Sequence, residues 1–211
     1  MLWYEDDILR LEKERAALTY TPDTLFYGSS SIRQWTSLAD DFENLSIVNL
    51  GFGGSTLAAC AWFFDRIMTG YRPKRIIIYA GDNDLADGRH PQEVCLFFKE
   101  LIIAVTSKYG TIPCYFISLK PSIARWGLIE QFKYTNQLVF KEVNKHTNWK
   151  WVDIFTSMLN DEGKPNADYF SADGLHLNGN GYQLWATTLQ NALNLEIGTT
   201  NLSKNISLKS N

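Results

Sequence analysis

The sequence predicts an α/β sandwich: a central, mostly parallel sheet of five strands with helices on both faces. Two observations lead there. Five short runs rich in β-branched and aromatic residues alternate with longer segments of helical period. One of them, Arg75–Ala80, carries the unbroken run Ile76-Ile77-Ile78, as expected of a strand covered on both sides.

Taken in order, residues 3–18 read as an outer helix, with Trp3, Ile8, Leu11 and Leu18 at roughly helical spacing. Thr21-Pro22-Asp23 breaks it. The first strand is Thr24–Tyr27, followed by a helix over Ser31–Phe42 and a second strand, Ser46–Asn49. Leu50–Thr56 is a loop holding Gly51, Gly53 and Gly54, and Leu57–Met68 is helical. After the third strand comes the turn Gly81-Asp82-Asn83-Asp84. Pro91 opens a helix to about Lys108, whose Val94, Phe97, Phe98, Leu101, Ile102 and Val105 form one apolar face. Pro113–Ser118 is the fourth strand, Leu119–Gly127 a loop, Leu128–Lys145 a helix, and Lys150–Val152 the fifth strand. Asp173–Leu177 is irregular, and a last helix spans Gly181–Leu193. Residues 1–197 are expected to form one domain, with a polar, flexible tail at 198–211.

Composition excludes several classes. A net charge of −3 argues against nucleic acid as the main partner. No apolar run reaches the ~20 residues a membrane helix needs. Met1–Arg15 holds Glu5, Asp6, Asp7, Glu12 and Glu14, unlike a signal peptide, so the expected location is cytoplasmic unless a leader has been removed. Cys60, Cys95 and Cys114 lack metal-type spacing and read as core residues. Oligomeric state is left open.

The stretch that organises the chain is Leu25–Trp35. A strand that breaks at Gly28 and turns into a helix presents a side chain, and free backbone N–H groups, at the carboxyl edge of the sheet. Ser30 sits there as a candidate nucleophile; taken alone, Ser29-Ser30-Ser31 also suits a helix cap. Such a serine needs a base, a group orienting the base, and donors for an oxyanion. Of the 3 histidines, His90 precedes a helix and His146 lies at a polar helix end, whereas His176 stands in irregular chain with Asp173 three residues before it. One turn lets that carboxylate reach the ring N–H. The oxyanion donors are expected to be the N–H groups of Ser30 and Gly54 and the amide of Asn83, with Asp82 and Asp84 as loop braces. No metal site is expected.

These four stretches, in this order, resemble the SGNH (GDSL-type) hydrolase family. Gly28-Ser29-Ser30 corresponds to its first block, Gly54 to the second-block glycine, Gly81-Asp82-Asn83-Asp84 to the third block, and Asp173-Gly174-Leu175-His176 to the fifth. The likeness spans roughly residues 23–193. It implies a flavodoxin-like three-layer α/β/α fold, a Ser30–His176–Asp173 triad, the Ser30, Gly54 and Asn83 oxyanion hole, and no cofactor. One departure stands out: Ser29 replaces the usual Asp.

The expected activity is hydrolysis of carboxylic esters, preferably short acyl or O-acetyl groups on a sugar or small alcohol. Lys120, Arg125 and Trp126 are expected to border the cleft and contact a polar or sugar-like portion. The alternatives are a lysophospholipase- or thioesterase-type acyl hydrolase, and a catalytically silent binding module on the same fold.

Overall fold

The computed structural model describes the backbone of residues 1–207 and the side chains of residues 1–193. Its sheet is all parallel, in the order β2-β1-β3-β4-β5, with β1 Thr24–Gly28, β2 Ile47–Gly51, β3 Arg75–Tyr79, β4 Cys114–Ile117 and β5 Trp149–Val152. Successive side chains leave a strand on opposite faces, and the two cores follow that period. Leu25, Tyr27, Ile76, Ile78, Cys114 and Phe116 enter one core. Phe26, Ile77, Tyr79, Tyr115 and Ile117 enter the other.

The first core is closed by α1 (Glu5–Ala17), α4 (Leu57–Ile67), α6 (Pro91–Tyr109) and α7 (Ile129–Val143). The second is closed by α2 (Ser30–Arg33), α3 (Leu38–Asp41) and α8 (Gly179–Ser207). This is the three-layer sandwich expected. The chain passes from β1 outward to β2 and then returns to place β3 on the other side of β1. Where the strand order reverses, the carboxyl ends of β1 and β3 leave a crevice, the usual site position in such sheets. The register brings the loops level: Gly28 pairs with Gly51 on one side and Tyr79 on the other.

Three expected elements differ. The helix expected over Ser31–Phe42 is two short helices, α2 and α3. The cause is Trp35, which is fully buried against Phe26, Phe42, Tyr182 and Trp185 and donates its indole N–H to Asp41 at 2.6 Å. Seating that indole takes Gln34–Ser37 out of the helix. The turn expected at Gly81–Asp84 instead opens a one-turn helix, α5 (Asp82–Ala86). Successive residues there fan out by about 100°: Asp82 and Asn83 both meet Arg125, while Asn83 and Asp84 bond the backbone of Ser55 and of Leu57 and Ala58. The last helix starts at Gly179 and continues to Ser207, past the expected end at Leu193. The expected tail at 198–211 lies outside the residues with described side chains. Among the described residues no helix is long and apolar enough to cross a membrane. Cys60, Cys95 and Cys114 are buried and unpaired, as expected of core residues.

Candidate active site

The site begins where β1 ends. Gly28 has φ +142°, and a Cβ there would lie 1.8 Å from the Tyr79 carbonyl oxygen, so only glycine fits. The Ser29 N–H then donates to that same carbonyl at 2.9 Å, stitching the turn to β3. The Ser29 carbonyl accepts from Ile32 and Arg33 and starts α2. Ser29 and Ser31 are buried, with hydroxyls that have no partner among the described residues, whereas Ser30 is half-buried and faces the crevice. As the first residue of α2, Ser30 has an N–H with no acceptor inside the helix.

His176 arrives from the far end of the chain. Its Nε2 lies 3.1 Å from Ser30 Oγ and its Nδ1 2.6 Å from Asp173 Oδ2. The other Asp173 oxygen accepts the N–H groups of Leu175 at 2.9 Å and His176 at 3.0 Å. The His176 ring, joined by these two backbone donors, lowers the Asp173 carboxyl to about 2. Asp173 is therefore an anion at any ordinary pH and favours the Nδ1–H tautomer, leaving Nε2 free to accept a proton. The loop is held by a Phe170–Leu177 bridge, by Ser171 N–H donating to the His176 carbonyl at 2.8 Å, and by Ala124 N–H donating to the Gly174 carbonyl at 3.0 Å. The other two histidines stand elsewhere: His90 caps α6, and His146 lies 3.5 Å from Glu142.

Two further groups stand in the segments that follow β2 and β3 at the same edge of the sheet. Gly54, at φ +65°, is exposed, with nothing within 4 Å of the place a Cβ would take. Asn83 is held at both ends of its amide: Oδ1 accepts from Arg125 at 2.8 Å, and Nδ2 donates to the Ser55 carbonyl at 3.0 Å. An amide nitrogen has two N–H groups, so one remains for a ligand.

Around Asn83 lies a buried charge cluster. Asp82 sits 3.1 Å from Lys120 Nζ and 3.1 Å from Arg125. Burial raises the Asp82 carboxyl, but the two cations overcome it and hold it below its ordinary value. Lys120 is 1% exposed and also approaches the Tyr79 hydroxyl, so it braces the loop from inside and does not reach the crevice surface. Arg125 is largely buried and committed to Asp82 and Asn83. Trp126 is half-buried in the 3-10 turn Trp126–Leu128. Asp84 accepts the N–H groups of Leu57 at 2.6 Å and Ala58 at 3.4 Å at the start of α4.

Sequence reasoning missed a third set. Tyr4, Asp7 and Arg10 bond the loop Gly51–Gly54. Their three-residue spacing was visible as one face of a helix, but nothing local says what that face meets. Among the described residues there is no group of three or more His, Cys, Asp and Glu that could hold a metal ion.

Comparison with solved structures supports the fold. A Streptococcus pneumonia protein provisionally named a platelet activating factor aligns with a TM-score of 0.82 at 21% identity, over 90% of this chain and 92% of that one. A GDSL-like lipase from Bacteroides thetaiotaomicron gives 0.76 at 20% identity, over 90% and 98%. A family 3 carbohydrate esterase from Clostridium thermocellum gives 0.64 at 18% identity, over 82% and 94%. No curated protein matches the sequence. The GDSL-like Lipase/Acylhydrolase family matches residues 19–184, from just before β1 into α8. With all the crevice loops inside that match, the chain belongs to the GDSL-like lipase/acylhydrolase family.

Proposed function

We propose that the protein is a serine esterase that hydrolyses carboxylic esters through an acyl-enzyme, with Ser30 as nucleophile, His176 as base and Asp173 as the group orienting it. The observation that carries this is the continuous relay from Ser30 Oγ to His176 at 3.1 Å and on to Asp173 at 2.6 Å. His176 Nε2 takes the Ser30 proton as Oγ attacks the ester carbonyl, and the resulting imidazolium is stabilised by ionised Asp173. Negative charge gathers on the carbonyl oxygen, where the N–H groups of Ser30 and Gly54 and the free N–H of Asn83 receive it. Collapse of the tetrahedral intermediate passes the proton to the leaving alcohol. Water then repeats the sequence on the acyl-enzyme and frees the acid. No step calls for a cofactor.

Short acyl or O-acetyl groups on a sugar or small alcohol are the proposed substrates. The likeness to a carbohydrate esterase and half-buried Trp126, next in the chain to the Arg125 that bonds Asn83, support this. A series of p-nitrophenyl esters of increasing chain length tests it, with the acetate or butyrate expected to give the highest kcat/KM. Ser30→Ala should abolish turnover with the fold intact. Ser29→Ala and Ser31→Ala should keep most activity, because neither hydroxyl reaches the crevice. No hydrolysis of any ester by the wild type, or full activity in Ser30→Ala, would refute the assignment.

A further inference from the structure

Residues 1–18 lie outside the family match, yet α1 and the 3-10 turn before it, Leu2–Tyr4, bond the loop that carries Gly54. The Tyr4 hydroxyl donates to the Gly54 carbonyl at 3.0 Å. Asp7 accepts the Gly53 N–H at 3.1 Å and an Arg33 N–H of α2 at 3.2 Å. Arg10 donates to the Gly51 carbonyl at 2.9 Å. Tyr4, at the N-cap of α1, and Asp7 and Arg10 within it thus hold the glycine loop, and Asp7 ties that loop to the helix that begins at Ser30.

The need for such a hold follows from the sequence. The Gly54 N–H belongs to the peptide plane between Gly53 and Gly54. Two glycines flank that plane, and glycine restrains rotation least of all residues. Nothing lies within 4 Å of the Cβ position of Gly54, and at Gly53 the nearest atoms to that position are side-chain atoms of Arg33 and Asp7, at 2.7 and 3.5 Å, so what borders the loop there is the Asp7–Arg33 pair itself. The plane before it is pinned through the Gly53 N–H by Asp7, and the plane after it through the Gly54 carbonyl by Tyr4. Tyr4 is itself fixed, 5% exposed and packed edge-on against Phe52 and Phe63. The rest of α1 is anchored to α4 separately, by Arg66 to Glu5 and Glu12.

We propose that Tyr4 and Asp7 are positioning residues for the oxyanion hole: they clamp the Gly53–Gly54 peptide so that its N–H meets the carbonyl oxygen of a bound ester. This rests on the esterase reading above. An N–H that must be brought into place at each turnover loses the advantage of a prepared site, and small misplacements near reacting atoms are costly.

The test compares Tyr4→Phe, Asp7→Ala and the double variant with Glu12→Gln, which loosens the same helix without touching the loop. With p-nitrophenyl acetate, Tyr4→Phe should lower kcat about tenfold and the double variant about 10²-fold, with KM within about twofold, because the lost contact belongs to the transition state. Glu12→Gln should keep the wild-type kcat at a similar melting temperature. Amide hydrogen exchange at Gly53 and Gly54 supplies a readout independent of turnover: it should accelerate in the double variant and not in Glu12→Gln. Wild-type kcat in the double variant, or a kcat loss matched by Glu12→Gln, overturns the proposal. If the wild type hydrolyses no ester, the esterase reading falls, and exchange alone decides the clamp: accelerated exchange supports it and unchanged exchange overturns it.

Discussion

Asn83 illustrates how much a single side chain depends on its setting. A carboxamide can sit either way round, and only one way offers an N–H to a substrate oxygen. Arg125 donating to Oδ1 and the Ser55 carbonyl accepting from Nδ2 both select that orientation. A charged donor on Oδ1 also polarises the amide and strengthens its N–H groups. Asn83→Ala should therefore lose about 10²–10³ in kcat with little change in KM. Arg125→Gln should lose about tenfold, since Asn83 stays but turns more freely. Combining the two should be no worse than Asn83→Ala alone, because Arg125 acts through the amide. Steady-state kinetics of the three variants decide this; an additive double variant, or a rise confined to KM, would make Arg125 a direct substrate contact. Sequence reading picked out Asn83 and Arg125 separately. Their contact spans 42 positions, and no local pattern records it. The loop after the fourth strand suggests Lys120 for the crevice, but its burial depends on the Asp82 carboxylate of α5, which no local pattern pairs with it.

At the scale of elements, Asp84 joins α5 to the first turn of α4. Its carboxylate accepts from Leu57 and Ala58, where the unpaired N–H groups of a helix start favour an anion. Burial nevertheless outweighs those bonds and the distant Arg89 at 3.9 Å, and raises the carboxyl to about 6. The sign follows from linkage. In the folded state the group holds its proton to higher pH than in the unfolded chain, so stability is lost as pH rises from the unfolded value near 3.8 to about 6. Asp84→Asn cannot ionise. The unfolding free energy of the wild type relative to Asp84→Asn should therefore fall by up to about 3 kcal/mol between pH 4 and pH 7. Denaturant titrations of both proteins across that range test it, and a pH-independent difference would show that Asp84 is ionised throughout. The strands were legible because their residues alternate between two cores, but the split between α2 and α3 was not. Trp35 continues a helical pattern in sequence, and only its pocket among Phe26, Tyr182 and Trp185 takes the chain out of the helix. α5 is too short for periodicity to reveal.

The whole molecule is organised so that two glycines do opposite work, and this yields the broadest prediction. The order of strands was legible as far as parallel pairing, since alternating strands and helices admit little else. That the crevice falls between β1 and β3 depends on which neighbour each strand takes, and local sequence says nothing of that. At this junction Gly28 lets β1 lie against β3: a Cβ would meet the Tyr79 carbonyl at 1.8 Å, a backbone atom in the middle strand of the sheet. That carbonyl also accepts the Ser29 N–H, so moving it disturbs the sheet and the Ser30 turn together. Tyr79 cannot yield easily either, because its ring packs on Trp185 of α8 in the second core. Gly28→Ala should accordingly cost more than about 4 kcal/mol, the range of the most severe substitutions, and leave little folded protein. Gly54 has the same need for positive φ but open space around it. Gly54→Ala should cost only the left-handed conformation, about 1–2 kcal/mol, and lower the melting temperature by about 2–8 °C. It should fold yet hydrolyse esters poorly, because relief of that strain turns the Gly53–Gly54 peptide away from the crevice. Thermal melts and p-nitrophenyl acetate kinetics on both variants separate the cases. A stable, cooperative Gly28→Ala protein would mean that β1 and β3 can part without cost, and a fully active Gly54→Ala enzyme would remove that N–H from the oxyanion hole.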